Sequence, residues 1–208
     1  MLPFFPLNIV AFPGEAVNLH VFEPRYKQLI NDCLEESNSF GIPSYVTNKI
    51  EYGTEVEISE VSRTYSDGRL DIKTTGIRLF KVLEYFNPIE GKLYAGGEVT
   101  YIPQDLEDTN LSLLLEFKEL STQLFAWLGE EIELNVSQIE SVFDIGHKIG
   151  LKPEEEYAMV QLTNENDRLS YAIKHLNHLL PALERAQSAQ DRIKQNGHFK
   201  HLDPLNFR

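Results

Sequence analysis

The stretch FPGEAVNLHVFEPRYKQLI, residues 12–30, contains the strongest local structural signals in the sequence. The Pro13-Gly14 pair predicts a turn, because glycine adopts the positive φ angle that such turns need. The apolar positions of residues 17–22 predict a buried strand that includes Phe22. Pro24 suits the first position of a helix, where its missing N–H costs nothing. The stretch therefore predicts a turn, a strand and a helix in that order.

The helix that begins at Pro24 carries a single apolar stripe. Its apolar residues recur at spacings of three and four, which places them on one face of a 3.6-residue helix. These residues are Tyr26, Leu29, Ile30, Cys33 and Leu34. Since Cys33 falls on this stripe, we expect a buried thiol that behaves as a small hydrophobe.

Three polar side chains, His20, Glu23 and Arg25, stand close together in the same stretch. They suit either a catalytic cluster or a strand-to-helix junction whose charges find helix-end or cross-strand partners. Glu23 precedes the helix at the end where the helix dipole favours negative charge. The pattern favours the junction, and it predicts that Glu23→Ala lowers the free energy of unfolding by about 1 kcal/mol or more.

The charge balance narrows the classes of partner. The chain has 208 residues, with 19 basic and 32 acidic side chains and a formal net charge of −13. Such a surface repels phosphate backbones and anionic headgroups, so we expect neither nucleic acid nor a membrane as partner. The N-terminus lacks a signal-peptide pattern, and no apolar run reaches the ~18 residues of a membrane span. With one cysteine, which suits a reducing compartment, the sequence predicts a cytoplasmic protein.

The first half of the chain has the pattern of a β-rich subdomain. Short apolar runs between glycines and prolines predict strands over 3–12, 17–22, 40–48, 54–63, 69–86 and 92–103. The alternation slips near Glu60, which indicates a bulge, and Gly76 marks a second bulge or a close approach of two backbones. These connections predict a small barrel or a folded sheet over residues 1–104.

The second half, residues 105–208, has the pattern of a helical bundle with a polar C-terminal tail. The apolar spacing predicts helices over 110–128, 139–149, from 153 onward and over 167–190. Pro181 is expected to kink or split the last of them. The predicted fold class is α+β, with a β-rich subdomain followed by an α-helical one.

The sequence contains no recognised catalytic, nucleotide-binding or metal-binding motif. It contains no phosphate-binding glycine loop, no dinucleotide pattern and no Gly-x-Ser-x-Gly elbow. The pairs His175/His178 and His198/His201 have metal-ligand spacing, but neither pair has a third ligand of a recognised motif, so we interpret both as solvated surface. The sequence predicts no catalytic residue, no metal and no cofactor.

Several motifs together resemble the N-terminal domain of the Lon protease family. Residues 2–35 match its Pro-Leu, Phe-Pro-Gly and Phe-Glu-Pro-Arg-Tyr pattern, residues 67–69 match its Asp-Gly-Arg hairpin, and GIRLFKV, residues 76–82, matches a later strand. The resemblance is strong over the first half of the chain. Over the second half it rests only on the predicted helical pattern. The motif residues, for which we expect structural roles, are Gly14, His20, Phe22, Glu23, Pro24, Arg25, Asp67, Gly68, Arg69 and Gly76.

The resemblance implies a six-stranded pseudo-barrel with one inserted helix, followed by a helical bundle. In full proteases of the family this domain helps to recognise substrate polypeptides, and an ATPase module and a Ser-Lys peptidase module follow it. The present sequence contains neither module, so it resembles the stand-alone Lon-domain proteins and predicts no enzymatic activity.

The leading hypothesis is a non-catalytic module that binds polypeptide segments on an apolar surface where barrel and bundle meet. Two alternatives stay open: a barrel that binds a small molecule, and an adaptor that docks to a separate ATPase or protease. Homo-oligomerisation is open as well. The candidate recognition surface, whose members also suit structural roles, is Phe12, Pro13, Tyr26, Arg78 and Phe80.

Overall fold

The structure, a computed structural model, describes residues 1–36, 39–104, 106–129 and 138–197, with side chains up to residue 193. The strands are β1 Leu2–Phe4, β2 Ala16–Val21, β3 Ser39–Pro43, β4 Tyr52–Thr64, β5 Leu70–Phe86 and β6 Ala95–Tyr101. The α-helices are α1 Pro24–Glu36, α2 Leu111–Leu128, α3 Pro153–Val160 and α4 Glu165–Gly197. Two short 3-10 turns, Val142–Asp144 and Gly146–Lys148, lie between α2 and α3. The predicted α+β class, six strands followed by helices, is confirmed.

One long strand, β5, closes the sheet into a barrel. The strand order is β2-β5-β4-β3-β1-β6, and β5 also pairs with β6. The first part of β5 pairs with β2 over residues 70–75, whereas its last part pairs with β6 over residues 80–86. Among the six described strands, β1 and β3 run parallel and the other pairs are antiparallel. The ring β5-β4-β3-β1-β6 is therefore closed, while β2 is attached to it along one edge only.

The turn before β2 sets the register of that strand. The Glu15 N–H donates to the Phe12 carbonyl at 3.2 Å, and Gly14 has a φ of +78°, as the third residue of a type II turn requires. Gly14 N–H donates to the Gly76 carbonyl and Gly76 N–H donates to the Glu15 carbonyl, which is the pattern of a G1 bulge. A Cβ on Gly76 would overlap the Phe12 carbonyl oxygen, so the predicted close approach at this glycine is confirmed.

The barrel interior is filled by side chains. A buried cluster joins residues of β2, β3, β4 and β5 to the inner face of α1, including Val21, Phe40 and Val56. The predicted stripe of α1 is buried except for Leu34, which is 42% exposed. Cys33 is 2% exposed, so the predicted burial of this thiol is confirmed, and burial raises the pKa of the thiol to about 12.

A second core crosses the predicted boundary between the two halves. Val10, Phe12, Leu79 and Ile102 come from the barrel half and share one cluster with Phe117 and other residues of the helical half. The division at residue 104 stays a prediction, but the two halves have this core in common.

Three predicted elements differ in the structure. The first strand ends at Phe4 rather than continuing to residue 12, because the chain turns away from β3 after forming hydrogen bonds from Phe5 and Leu7. Residues 139–149 form the two 3-10 turns instead of one helix. The α4 helix continues through Pro181 without a split. Proline has no N–H to donate to the Asn177 carbonyl, but Asn177 is exposed, so water can donate instead. The tail 198–208, with His198 and His201, lies outside the described residues.

Candidate functional site

A groove opens at the strand-to-helix junction that the sequence singles out. It has a volume of about 440 Å³ and lies between β2, the segment that follows β1 and the first turn of α1. We call it the strand-helix groove. Its apolar lining comes from Phe5, Leu7, Leu19, Phe22 and Tyr26. The barrel fold thus brings the residue 5–7 segment beside residues 18–26, although the two are separate in sequence.

Stacked aromatic rings form the floor of the strand-helix groove. The Phe5 and Tyr26 rings stack with 3.8 Å between centroids, and both side chains are nearly inaccessible to solvent. Burial raises the pKa of Tyr26, because ionisation would place a charge in this apolar setting. The floor is therefore buried and apolar.

Phe22 stands at the rim of the same groove and is 59% exposed. The prediction of a buried Phe22 is wrong, because β2 ends at Val21 and the chain turns into α1 before this side chain reaches the core. The Phe22 ring stacks on the His20 imidazole with 6.0 Å between centroids and adds apolar surface to the rim of the groove.

The charges around the groove are paired. His20 donates from Nδ1 to the Asp71 carboxylate, which also accepts a hydrogen bond from Tyr65, and these bonds hold the pKa of Asp71 below its ordinary value. Arg25 pairs with Glu23 at 2.8 Å, and its guanidinium lies 4.5 Å from the centre of the Tyr26 ring. Because each charge has a local partner, the geometry matches a junction rather than an acid–base centre.

The predicted recognition residues do not form one surface. Phe12 and Phe80 are fully buried in different clusters, so their assignment to a surface is wrong. Tyr26 lies in the floor of the groove, Pro13 is half-buried at the turn, and Arg78 is exposed on β5. Arg78 donates to Glu55 at 2.8 Å and stacks over Tyr101, which occupies its guanidinium within the sheet.

The remaining motif residues lie at turns. Gly68 has a φ of +79° in the β4–β5 hairpin, and Arg69 pairs with Asp67 at 2.7 Å. Lys27 of α1 donates to the Asp67 carbonyl at 3.0 Å, which ties α1 to this hairpin.

A second feature lies where the barrel half meets the helical half. His147 donates to Glu156 from Nδ1 at 2.7 Å and to Glu15 from Nε2 at 2.9 Å, and its ring stacks on Phe12. Burial lowers the pKa of His147, but the two carboxylates more than offset this and raise it to about 9. A cavity of about 290 Å³ borders this residue beside the Pro13-Gly14 turn. The sequence gives no signal for this contact, because Glu15 and His147 lie far apart in the chain.

Metal and membrane features are not found in the part of the chain that the structure describes. No group of three or more histidine, cysteine, aspartate or glutamate side chains there is arranged to hold a metal ion. The half-buried His175 donates to the Ile149 carbonyl at 3.0 Å, which orients its ring toward the protein. Among the same residues, no helix has the length and apolarity to span a membrane.

Fold and groove together describe an α+β protein with a closed ring of five strands and an apolar groove beside it. The family model of the ATP-dependent protease La (LON) substrate-binding domain matches residues 1–179. The chain therefore belongs to this family, as the motifs in its first half predict.

Individual relatives agree with the family assignment. Lon protease 1 of Hydrogenovibrio crunogenus is 22% identical over 207 residues, which cover 90% of this chain and 25% of that protein. The chain thus spans about a quarter of the length of this relative.

Two solved structures share the fold. The crystal structure of a Lon N-terminal domain protein from Xanthomonas campestris is 27% identical, with a TM-score of 0.63, over 81% of this chain and 94% of that one. The N-terminal domain of Mycobacterium avium complex Lon protease is 18% identical, with a TM-score of 0.69, over 86% of this chain and 99% of that one.

Proposed function

We propose that this protein binds exposed, apolar segments of other polypeptides in the strand-helix groove, without catalysing a reaction on them. The observation that carries the proposal is Phe22, an aromatic side chain that is 59% exposed at the rim of an apolar groove. Exposed aromatic residues next to a preformed apolar depression are typical of sites where a few side chains supply most of the binding energy.

The size and lining of the groove suit side chains rather than a folded surface. A volume of about 440 Å³ accepts a few apolar side chains of a client. The Phe5–Tyr26 floor is already stacked without a client, and such preformed order reduces the entropy lost on binding. Family membership supports the same function, since the matching model describes a substrate-binding domain.

The net charge of the protein is expected to favour some clients over others. With a net charge of −13, the protein repels acidic segments and attracts neutral or basic ones at low salt. Close to the groove, Arg25 pairs with Glu23 and His20 hydrogen-bonds to Asp71, so the selection comes from the whole surface rather than from one pair. We therefore expect affinity for basic clients to fall as ionic strength rises.

Binding to an unfolded client tests the proposal directly. Reduced, carbamidomethylated lysozyme has the same basic sequence as native lysozyme but exposes its apolar segments. We expect the unfolded form to bind at least about tenfold more tightly than the native form, because only it offers side chains to the groove.

A matched pair of variants locates the binding. Phe22→Ala should weaken binding of the unfolded client about fivefold or more, since truncating an interface aromatic ring costs about 1 kcal/mol or more. Leu115→Ala removes a side chain that is 66% exposed on α2 and should leave the affinity unchanged. Equal, negligible binding of both lysozyme forms would contradict the proposed function; equal losses in the two variants would contradict the site.

A further inference from the structure

We infer that the bound polypeptide segment adds to the barrel as a further β-strand along the free edge of β2. This inference rests on the proposed function and specifies how the client is held: by its backbone, with its alternate side chains directed toward the strand-helix groove.

The outer edge of β2 is unpaired within the described part of the chain. β2 ends the strand order, and its single ladder joins it to β5. Among described residues, no backbone hydrogen bond outside that ladder reaches Asn18 or His20. An edge strand of this kind offers a row of N–H and C=O groups to another extended chain.

The bulge at Gly14 determines which backbone groups face outward. Since the Gly76 N–H donates to the Glu15 carbonyl, residue 15 belongs to the positions that bond to β5. Backbone groups alternate in direction along an antiparallel strand, so the odd positions through Val21 bond inward. The N–H and C=O groups of Ala16, Asn18 and His20 therefore point away from the barrel. These three residues are also exposed.

This edge borders the groove and carries no lysine or proline within β2. Asn18, Leu19 and His20 form one wall of the strand-helix groove, so a strand added there lies over the Phe5–Tyr26 floor. Natural edge strands are commonly protected by lysine, proline or a covering element, but the sequence AVNLHV contains neither lysine nor proline. The one ionisable side chain of β2, His20, is held by Asp71.

The chemistry of the occupant follows from the backbone edge and the charge of the protein. The backbone edge requires an extended segment with free amide groups and excludes a helical one. The apolar groove favours an apolar residue at every second position. The net charge of −13 is complementary to lysine or arginine at the ends of the segment and disfavours aspartate and glutamate.

A proline substitution on β2 tests the outward hydrogen bonds. Asn18→Pro removes an N–H that points away from β5, so the ladder to β5 keeps its bonds. The matched control Asn18→Ala removes the same side chain but keeps the N–H. We expect Asn18→Pro to bind unfolded, carbamidomethylated lysozyme about tenfold more weakly than Asn18→Ala, because the two variants lack the same side chain and differ in the outward N–H. Equal binding by the two variants would overturn the inference.

A peptide probe gives the same answer without changing the protein. The probe is a short peptide in which valine and phenylalanine alternate with threonine between terminal lysines. Two further versions carry N-methyl groups on every second amide. In the first version the methyl groups remove the N–H donors from one edge of the peptide strand, and in the second version from the other edge. We expect at least one methylated version to bind about tenfold more weakly, because one edge must pair with β2.

The possible results separate the two claims. Binding of all three peptides with equal affinity, and loss of that binding in Phe22→Ala, would support a polypeptide site and overturn strand addition. Failure of every peptide and of unfolded lysozyme to bind would overturn the proposed function itself.

Discussion

At the scale of single residues, His147 is the most specific link between the barrel half and the helical half. Its imidazole ring contacts a carboxylate at each nitrogen, Glu15 on the barrel side and Glu156 on α3. A neutral imidazole has only one N–H, so both bonds are donated by the ring only when it is protonated. The raised pKa of about 9 means that the ring is charged at neutral pH.

The His147 contact predicts a loss of stability at high pH. The folded-state pKa of about 9 lies above the ordinary value of 6.5, so the contribution to stability is complete below about pH 6.5 and declines as the pH rises through 9. We expect the melting temperature of the wild type to fall between pH 7 and 10 by more than that of His147→Gln. Parallel melting curves of the two proteins across this range would contradict the role of His147.

The Glu23 side chain is expected to contribute less to the free energy of unfolding than its position before α1 suggests. Its backbone carbonyl accepts the first helical N–H groups, those of Tyr26 and Lys27, and alanine keeps this carbonyl. The side chain pairs with Arg25, and both are substantially exposed. We therefore expect Glu23→Ala to lower the free energy of unfolding by less than about 1 kcal/mol, the range of exposed ion pairs. Urea unfolding of the two proteins measures the difference. A loss larger than about 1 kcal/mol would show that the Glu23 carboxylate stabilises the N-terminal end of α1.

At the scale of elements, Gly76 allows β5 and the Pro13-Gly14 turn to touch. Gly76→Ala would place a methyl group against the Phe12 backbone, which cannot move without disturbing the shared core. We expect a loss of about 2 kcal/mol or more in the free energy of unfolding.

Gly14→Ala is the matched control for Gly76→Ala. No atom lies within 4 Å of the position that its Cβ would occupy, so only the positive φ angle opposes the substitution. We expect a loss of about 1 kcal/mol from this backbone strain. A smaller effect at Gly76 than at Gly14 would contradict the close contact.

A buried ion pair anchors the 3-10 turns to α4. Arg168 and Glu165 are 1% and 2% exposed, and Glu165 also accepts the Val142 N–H at 2.7 Å. Arg168→Met leaves a buried carboxylate without its partner, and we expect a loss of about 3–5 kcal/mol in the free energy of unfolding.

Two controls accompany Arg168→Met. The exposed Arg185→Met should change the free energy of unfolding little. Adding Glu165→Gln to Arg168→Met removes the unpaired charge and keeps an acceptor for Val142, so part of the lost stability should return. A double variant as unstable as Arg168→Met would show that lost packing, rather than the unpaired charge, causes the effect.

Local signals predict elements better than they predict where elements end. Pro24 and the α1 stripe correctly place the first helix, and Asn110 caps α2 by accepting from Ser112. The predicted first strand is too long because its end depends on pairing with β3, which no local pattern reveals. Residues 139–149 are apolar at helical spacing, yet the Phe12 ring packs against Gly146 and the chain adopts 3-10 turns there.

At the scale of the whole molecule, the site depends on contacts between distant segments. The motif around residues 20–26 predicts one side of the groove, but Phe5, which completes the floor, and Leu7 reach it only through barrel closure. The buried positions of Phe12 and Phe80 follow from packing between distant segments, which the sequence does not display. The motif therefore predicts the fold and the part of the groove formed by residues 20–26, but not the part formed by Phe5 and Leu7.

The most direct test of the central claim is hydrogen–deuterium exchange of the protein with and without unfolded, carbamidomethylated lysozyme. If the strand-helix groove holds the client, exchange should slow in residues 16–26, which include the outward amides of β2, while residues 111–128 of α2 stay unchanged. Slowed exchange confined to α2, or to the His147 junction between the halves, would contradict the account.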